Sequence, residues 1–125
     1  KQAVGPIHFA YTGWASVKLS QDENTNPIPG KDFYSKFYHP YSFEAESWIR
    51  SGKTTNQPVC IMSAGYASGW NEQSFGIPLT AVETTCKARG DDECTFIMAP
   101  PDQIHRYINT NPEEKEKTLR SPYIF

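Results

Sequence analysis

The stretch VETTCKARGDDECTF, residues 82–96, decides the fold. Its first part is rich in valine and threonine and its last part carries threonine and phenylalanine, which are residue types that favour β-strands. Between them, residues 89–93 combine a glycine with charged residues, as tight turns do. The stretch therefore predicts a β-hairpin, with one strand over residues 79–88 and a return strand over residues 94–98.

The hairpin carries side chains that bind metal ions. Glu83, Cys86 and Cys94 are spaced E-x2-C-x7-C, and Cys60 lies upstream at the start of a predicted helix. Three thiolates and one carboxylate form a complete tetrahedral ligand set for zinc, and because no position is left for water, such an ion would be structural. From the spacing alone, buried free thiols beside an exposed glutamate are an equal alternative, and a Cys86–Cys94 disulfide is a third.

The spacing also sets two conditions on a metal site. Glu83 and Cys86 are three residues apart, and in a regular strand an odd step places two side chains on opposite faces. A shared site therefore requires a β-bulge, which residues 84–85 have to provide. Because the four ligands carry more negative charge than Zn2+ neutralises, we expect positive charge or amide hydrogen bonds nearby, with Lys87 and Arg89 as local candidates.

Two helices are predicted before the hairpin. Residues 42–50 form the first, because Ser42 is a good N-cap, two glutamates lie in the first turn, and four apolar residues share one face. These are Tyr41, Ala45, Trp48 and Ile49. The second helix covers residues 59–74, where Gly65 and Gly69 cost helix stability and indicate close packing against a neighbouring element.

The N-terminal part is predicted to be extended. Residues 6–19 alternate loosely between apolar and polar and predict one long strand, or two strands broken near Gly13. Residues 20–31 are polar and rich in asparagine and proline, which is typical of a surface loop. Residues 33–38 predict a short strand. His39 and the proline after it are expected to form a turn that ends the strand.

The C-terminal part begins with a helix after the two prolines at 100–101, with three apolar residues on its buried side. These are Ile104, Tyr107 and Ile108. We expect residues 1–110 to form a single ligand-binding domain and residues 111–125 to form a charged helix or tail.

The composition excludes several classes of protein. The chain has 125 residues, of which 38% are hydrophobic and 14% aromatic, so it can form one domain with a core. Its net charge of −2 argues against a nucleic-acid-binding module, for which a basic face is typical. We find no signal peptide and no apolar stretch long enough to span a membrane. The odd number of cysteines, 3, suits a reducing compartment, so we expect a cytoplasmic protein.

Several motifs around the hairpin resemble those of a known family. They are PVC at 58–60, AGYASGW at 64–70, FGIPL at 75–79 and the hairpin itself, preceded by SFEA at 42–45. In this order they resemble the 4-vinyl reductase (V4R) domain, especially its form in the sensor domains of bacterial aromatic-responsive transcription activators. The resemblance covers residues 42–100.

The resemblance implies an α+β fold, in which an antiparallel β-sheet is backed by helices. Such a V4R-like fold is related to the ligand-binding fold of NO-signalling domains and of Golgi transport-particle subunits. It further implies a zinc site at Cys60, Glu83, Cys86 and Cys94. A small hydrophobic or aromatic molecule would bind in a pocket near that site, and its presence would be reported to an attached module.

Aromatic side chains are the candidates for the pocket walls, because small-molecule pockets are mostly apolar. We select Trp14, Trp48, Tyr66, Trp70 and Phe96, with Tyr11 and Phe75 as further candidates. Most of them are expected to belong to the core. Tyr66 and Trp70 are favoured because they are four residues apart and therefore share a helical face.

Two other functions stay open. The family name allows a tetrapyrrole vinyl-reductase-type enzyme or its accessory, but no G-x-G-x-x-G fingerprint is present, and His8, His39 and His105 are too scattered for a catalytic set. A ligand-free homodimeric interaction or trafficking-type adaptor is the other alternative. Its candidate surfaces are the helix with Gly65 and Gly69 and the apolar residues 123–125. A homodimer is also expected if the domain is a sensor.

Overall fold

The structure, a computed structural model, describes residues 4–20, 26, 28, 30 and 32–110. The predicted tail at 111–125 and most of the predicted loop at 20–31 lie outside these residues. The regular elements, in chain order, are α1 (Val4–Tyr11), β1 (Ala15–Leu19), β2 (Ser35–Ser42), α2 (Phe43–Arg50), α3 (Ile61–Phe75), β3 (Thr80–Thr85), β4 (Cys94–Ala99) and α4 (Ile104–Thr110). A short 3-10 turn, Lys87–Arg89, lies between β3 and β4.

The four strands form one antiparallel sheet in the order β1-β2-β4-β3. Successive residues of β4 point to opposite faces, and every one of them is buried. Phe96 and Met98 belong to a core cluster against α3, whereas Ile97 and Ala99 pack with residues of α4. Helices therefore cover both faces around β4, and the predicted α+β fold with an antiparallel sheet is confirmed.

The junction from β2 to α3 follows ordinary capping rules. Ser42 is the N-cap of α2, as predicted, and its Oγ accepts a hydrogen bond from the Ala45 N–H at 3.5 Å. Glu44, in the first turn of α2, accepts hydrogen bonds from the backbone N–H groups of Met62 and Ser63 at 3.0 and 2.8 Å. N–H groups in the first turn of a helix have no partner within that helix, so Glu44 satisfies two of them and links α2 to α3.

The N-terminal segment corrects the predicted strand, because Val4–Tyr11 is a helix and only Ala15–Leu19 is extended. The alternation that predicted a strand does not reflect burial: Ile7 and Tyr11 are exposed, whereas Phe9 is buried. Tertiary packing of Phe9 onto the domain, rather than an apolar stripe, holds α1 in place.

The end of β2 also differs from the prediction, because the strand continues through His39 and Pro40 to Ser42. Pro40 is tolerated there for two reasons. Pairing with β4 ends at His39, and the pairing with β1 is irregular opposite Pro40, between Ser16 and Lys18. A residue without an N–H group therefore interrupts no regular ladder.

Two predicted packing faces are exposed instead. On α2, Ala45 is buried but Trp48 and Ile49 are 36% and 47% exposed, and Tyr41, which lies on β2, is 40% exposed. On α3, Gly65 and Gly69 are exposed, and a Cβ added at either would meet nothing within 4 Å. The prediction that these glycines allow close packing is therefore wrong within the described part of the chain.

Candidate metal centre and ligand cavity

Four metal-binding side chains meet at the start of α3. Cys60 is the residue before α3, Glu83 lies on β3, Cys86 follows β3, and Cys94 begins β4. All four are buried, and one ligand atom from each lies within 4.8 Å of the others. The fold therefore brings together all four residues that the sequence selected, and we call them the metal cluster.

A β-bulge makes this meeting possible, as the odd spacing required. Glu83 pairs with Phe96, but the next paired residue of β3 is Thr85, which faces Thr95. Thr84 is thus the additional residue, and its hydroxyl donates a hydrogen bond to the Thr95 carbonyl at 3.3 Å. Because of this shift, Cys86 and Glu83 reach the same site.

The distances fit a tetrahedral ion better than a disulfide. The sulfurs of Cys60 and Cys94 are 3.9 Å apart. Two ligands of a tetrahedral zinc ion with Zn–S bonds of about 2.3 Å lie about 3.8 Å apart, whereas a disulfide requires about 2.05 Å. All three cysteines are free thiols, so the alternative of a Cys86–Cys94 disulfide is wrong.

Glu83 completes the case for the fit. Its Oε1 accepts a hydrogen bond from the Cys60 backbone N–H at 3.0 Å. Its Oε2 is buried and has no hydrogen-bond partner among the described residues. A buried carboxylate oxygen without a partner is costly, and a cation would satisfy it.

The electrostatics of the cluster show which protons a cation would displace. Hydrogen bonds with the Cys60 and Cys94 side chains lower the pKa of Cys86 to about 2, so its sulfur carries the negative charge. The same bond to Cys86 raises the pKa of Cys60. Burial, followed by the charge of Cys86, raises the pKa of Glu83 to about 8. Three thiolates and one carboxylate therefore form together only when a cation binds and protons leave.

The two predicted charge partners act differently from expectation. Lys87 donates its backbone N–H to the Cys94 sulfur at 3.4 Å, whereas its ammonium group donates to the Pro40 carbonyl at 2.7 Å. Arg89 forms an ion pair with Asp91 at 2.6 Å, and Asp91 accepts the Cys86 N–H at 2.9 Å. Backbone amides thus contact the cluster. The charged side chains instead bond to groups around it, Lys87 to β2 and Arg89 within the turn between β3 and β4.

A cavity of about 60 Å³ lies between α1, α3 and the inner face of the sheet. One water molecule needs about 10–15 Å³ by the same measure, so the space is several water molecules in size. Its walls are mainly apolar and include Phe9, Phe37, Tyr66, Ala67 and Trp70. Such a space suits a small apolar molecule better than a charged one.

The predicted pocket residues divide between the cavity and other places. Tyr66 and Trp70 line the cavity, whereas Trp14, Trp48 and Phe96 are not among the residues that line it. Trp14 packs on Phe9 and Phe43, Trp48 lies on the exposed side of α2, and Phe96 is fully buried behind Phe37. Of the two further candidates, Phe75 packs on Phe33 and Tyr11 is 91% exposed.

His39 is a polar residue of the cavity that sequence reasoning missed. It is 1% exposed, and burial lowers its pKa to about 4, so the ring is neutral at pH 7. Its Nδ1 has no hydrogen-bond partner in the described part of the chain. The signal was its place two residues after Phe37, since residues at i and i+2 of a strand share a face.

Helix α1 forms one wall of the cavity and contacts α3 through aromatic side chains. The rings of Phe9 and Tyr66 are stacked with their centroids 4.4 Å apart, and Tyr66 Oη lies 3.1 Å from His8 Nδ1. Gly5 sits directly over Trp70, where an added Cβ would lie 2.6 Å from Nε1. Position 5 thus needs glycine because the two helices approach closely there.

The comparisons with known proteins agree with this architecture. Residues 42–100 match the family model described as the V4R domain. Residues 42–100 form a V4R domain. The chain is 32% identical over 118 residues to the phenol regulator MopR of Acinetobacter guillouiae, which covers 90% of this chain and 21% of that protein. It is also 36% identical over 95 residues to the transcriptional regulatory protein XylR of Pseudomonas putida, which covers 74% of this chain and 16% of that protein.

A solved structure shares the fold of the V4R domain. It is the crystal structure of the phenol-responsive sensory domain of the transcription activator PoxR with phenol, with a TM-score of 0.69 and 21% identity. The match covers 94% of this chain and 54% of that chain. This chain thus spans about half of that domain and about a fifth of MopR. None of the described helices is both long and apolar enough to cross a membrane.

Proposed function

We propose that this V4R domain is a zinc-stabilised sensory domain that binds a small aromatic molecule and has a regulatory role. The observation that carries the proposal is the cavity, whose mainly apolar walls include the neutral imidazole of His39. The similarity to the phenol regulator MopR and to the phenol-responsive sensory domain of PoxR supports the same class of ligand. A homodimer and a cytoplasmic location stay predictions.

The chemistry of the cavity favours a hydroxylated aromatic ring. The ring would pack against side chains such as Phe37 and Tyr66. A phenolic O–H would form a hydrogen bond with the neutral imidazole of His39, which compensates for the hydrogen bonds that the ligand loses on leaving water. A charged ligand would gain no compensating partner from a neutral imidazole and would bear the full cost of leaving water.

Zinc is the cation we propose for the metal cluster. Three sulfur ligands favour zinc over magnesium or calcium, which prefer oxygen. Cys60, Glu83, Cys86 and Cys94 would hold it with no open position, so its chemistry would be structural. The ion would fix the start of α3 to the β3–β4 hairpin, and α3 forms one wall of the cavity.

Calorimetric titration with phenol and with toluene tests the ligand proposal. We expect the parent to bind phenol more tightly than toluene, and His39→Phe to weaken phenol binding by about tenfold, as the loss of one hydrogen bond predicts. Toluene affinity and metal content should stay unchanged, which is the control. Equal affinities for phenol and toluene in the parent would exclude the role of His39.

Native mass spectrometry of the purified chain tests the metal and the assembly. We expect one zinc ion per chain. A dimer that binds zinc but neither phenol nor toluene would favour the interaction-module alternative over a sensor.

A further inference from the structure

Ser42 connects the sheet to the metal cluster. It is the last residue of β2 and is 1% exposed, and its Oγ lies 3.1 Å from the Cys60 sulfur. The same oxygen accepts the Ala45 N–H at the longer distance of 3.5 Å. One hydroxyl group thus has two partners, one in the first turn of α2 and the other directly before α3.

The direction of the Ser42–Cys60 hydrogen bond follows from the chemistry of the two groups. A hydroxyl group has one proton to donate, and its lone pairs can accept the Ala45 N–H at the same time. A thiolate accepts hydrogen bonds but has none to donate. Once Cys60 is deprotonated by a bound cation, the arrangement that remains is donation from Ser42 to the sulfur.

We propose that Ser42 is a positioning residue of the metal centre, whose hydroxyl donates to the metal-bound thiolate of Cys60 and holds it in place. This inference rests on the proposed zinc site. Hydrogen bonds to ligand atoms withdraw charge from them and fix their orientation. A cluster with three thiolates and a carboxylate needs such donors because a divalent cation neutralises only part of its charge.

The other described donors to the cluster differ from Ser42 in kind. The Cys94 sulfur receives the backbone N–H of Lys87, and the Glu83 carboxylate receives the backbone N–H of Cys60. A substitution leaves such a backbone donor in place. The Ser42 hydroxyl is a side-chain donor, so a single substitution removes it and shows its effect.

The test uses the full chain loaded with Co2+, which reports thiolate ligation in its visible spectrum, and zinc release to a chromogenic chelator. In Ser42→Ala and Ser42→Gly, a more electron-rich thiolate should shift the sulfur-to-cobalt charge-transfer band to lower energy. Zinc should leave about ten times faster or more, as expected when a ligand loses its supporting hydrogen bond. Ser42→Thr keeps the hydroxyl and should restore both properties.

Two controls separate this role from helix capping. Glycine is nearly as good an N-cap as serine and alanine is not, so a capping effect would appear in Ser42→Ala and be small in Ser42→Gly. Ser47→Ala removes a different hydroxyl of α2, one that donates to the Phe43 carbonyl, and should leave the spectrum unchanged.

The outcomes are distinct. A parent chain that binds neither Co2+ nor zinc would overturn the metal centre itself. A parent that binds both, with Ser42→Gly indistinguishable from it, would overturn only the role of Ser42. A band shift in Ser42→Gly that Ser42→Thr reverses would support it.

Discussion

The metal cluster and the cavity lie on the same side of the sheet and both involve β4 and α3 or the residue before it, yet they are built in opposite ways. The cluster takes three of its four side chains from one hairpin, and the β-bulge of that hairpin places their ligand atoms close together. The cavity draws its walls from α1, α3 and three strands that are distant in sequence. One site is specified by residue type and spacing, and the other by how separate elements pack.

The difference extends to their polar groups. In the cluster, most polar atoms contact one another or a backbone amide, and the ligand atoms are close enough together to bind one cation. In the cavity, the neutral imidazole of His39 lies among mainly apolar walls, and its Nδ1 has no hydrogen-bond partner among the described residues. We therefore expect the cluster to govern the stability of the domain and the cavity to govern which molecule it binds.

The largest effect should come from Cys94→Ser, which removes one ligand of the cluster. Because structural zinc contributes directly to folding and its loss leaves buried ionic partners unmatched, we expect a loss of about 3–5 kcal/mol in the free energy of unfolding. Urea unfolding and metal analysis measure it, and chelation of the parent should have a similar effect. An unchanged melting temperature and metal content would contradict the cluster's role.

The next largest effect is a pH dependence that belongs to His39. Its pKa is lowered to about 4 in the folded state from 6.5, so between these values the unfolded chain binds a proton that the folded chain does not. Stability should therefore fall as the pH falls from about 6.5 to 4, by up to roughly 3 kcal/mol.

Comparison with His39→Phe isolates that contribution, because the titration of the cluster is common to both proteins. The variant should lose less stability than the parent over this range in parallel urea titrations. If the free energy of unfolding depended on pH equally in both proteins, the pKa of His39 would not be lowered by folding.

A smaller effect should separate the cavity from the cluster. Ala67 lines the cavity, and Ala67→Leu adds three carbon atoms to open space. We expect phenol affinity to fall by at least about tenfold, or about 1.4 kcal/mol, with zinc content unchanged. Calorimetry and metal analysis on the same sample check this. Concerted loss of metal and ligand would show that the two sites cannot be separated.

The smallest effect should appear outside both sites. Gly69 is exposed on α3 with open space around it, so Gly69→Ala should stabilise the domain by about 0.5–1 kcal/mol through helix propensity. Thermal unfolding measures the gain, and ligand and metal binding should not change. Destabilisation would restore the prediction that this glycine packs closely against another surface.

The metal cluster could be predicted from sequence because its conditions are local. The spacing of Glu83 and Cys86 demanded a bulge, and Thr84 provides it. A capped helix before Cys60 and a hairpin around Cys94 were equally readable, since caps and turns depend on neighbouring residues. The spacing could not show whether the three thiols lie close together, because that depends on how the segment before α3 packs against the hairpin.

The cavity could not be predicted in the same way. Its α1 wall is a helix held by the packing of Phe9 against Tyr66, a contact between residues 57 positions apart in a chain that looked extended there. His39 looked like a turn residue because of Pro40, but the strand continues because pairing with β4 ends at His39 and pairing with β1 is irregular opposite Pro40. Aromatic composition alone could not distinguish Tyr66 from Trp48, because burial depends on the partner element.

One detail of the sheet places the two sites side by side. His39 of β2 is paired directly with Cys94 of β4, so a cavity residue and a metal ligand face each other across adjacent strands. If an occupant of one site alters the affinity of the other, the same factor must operate in reverse. Removal of the proposed metal would then change the affinity for the proposed aromatic ligand, and the ligand would change the affinity for the metal.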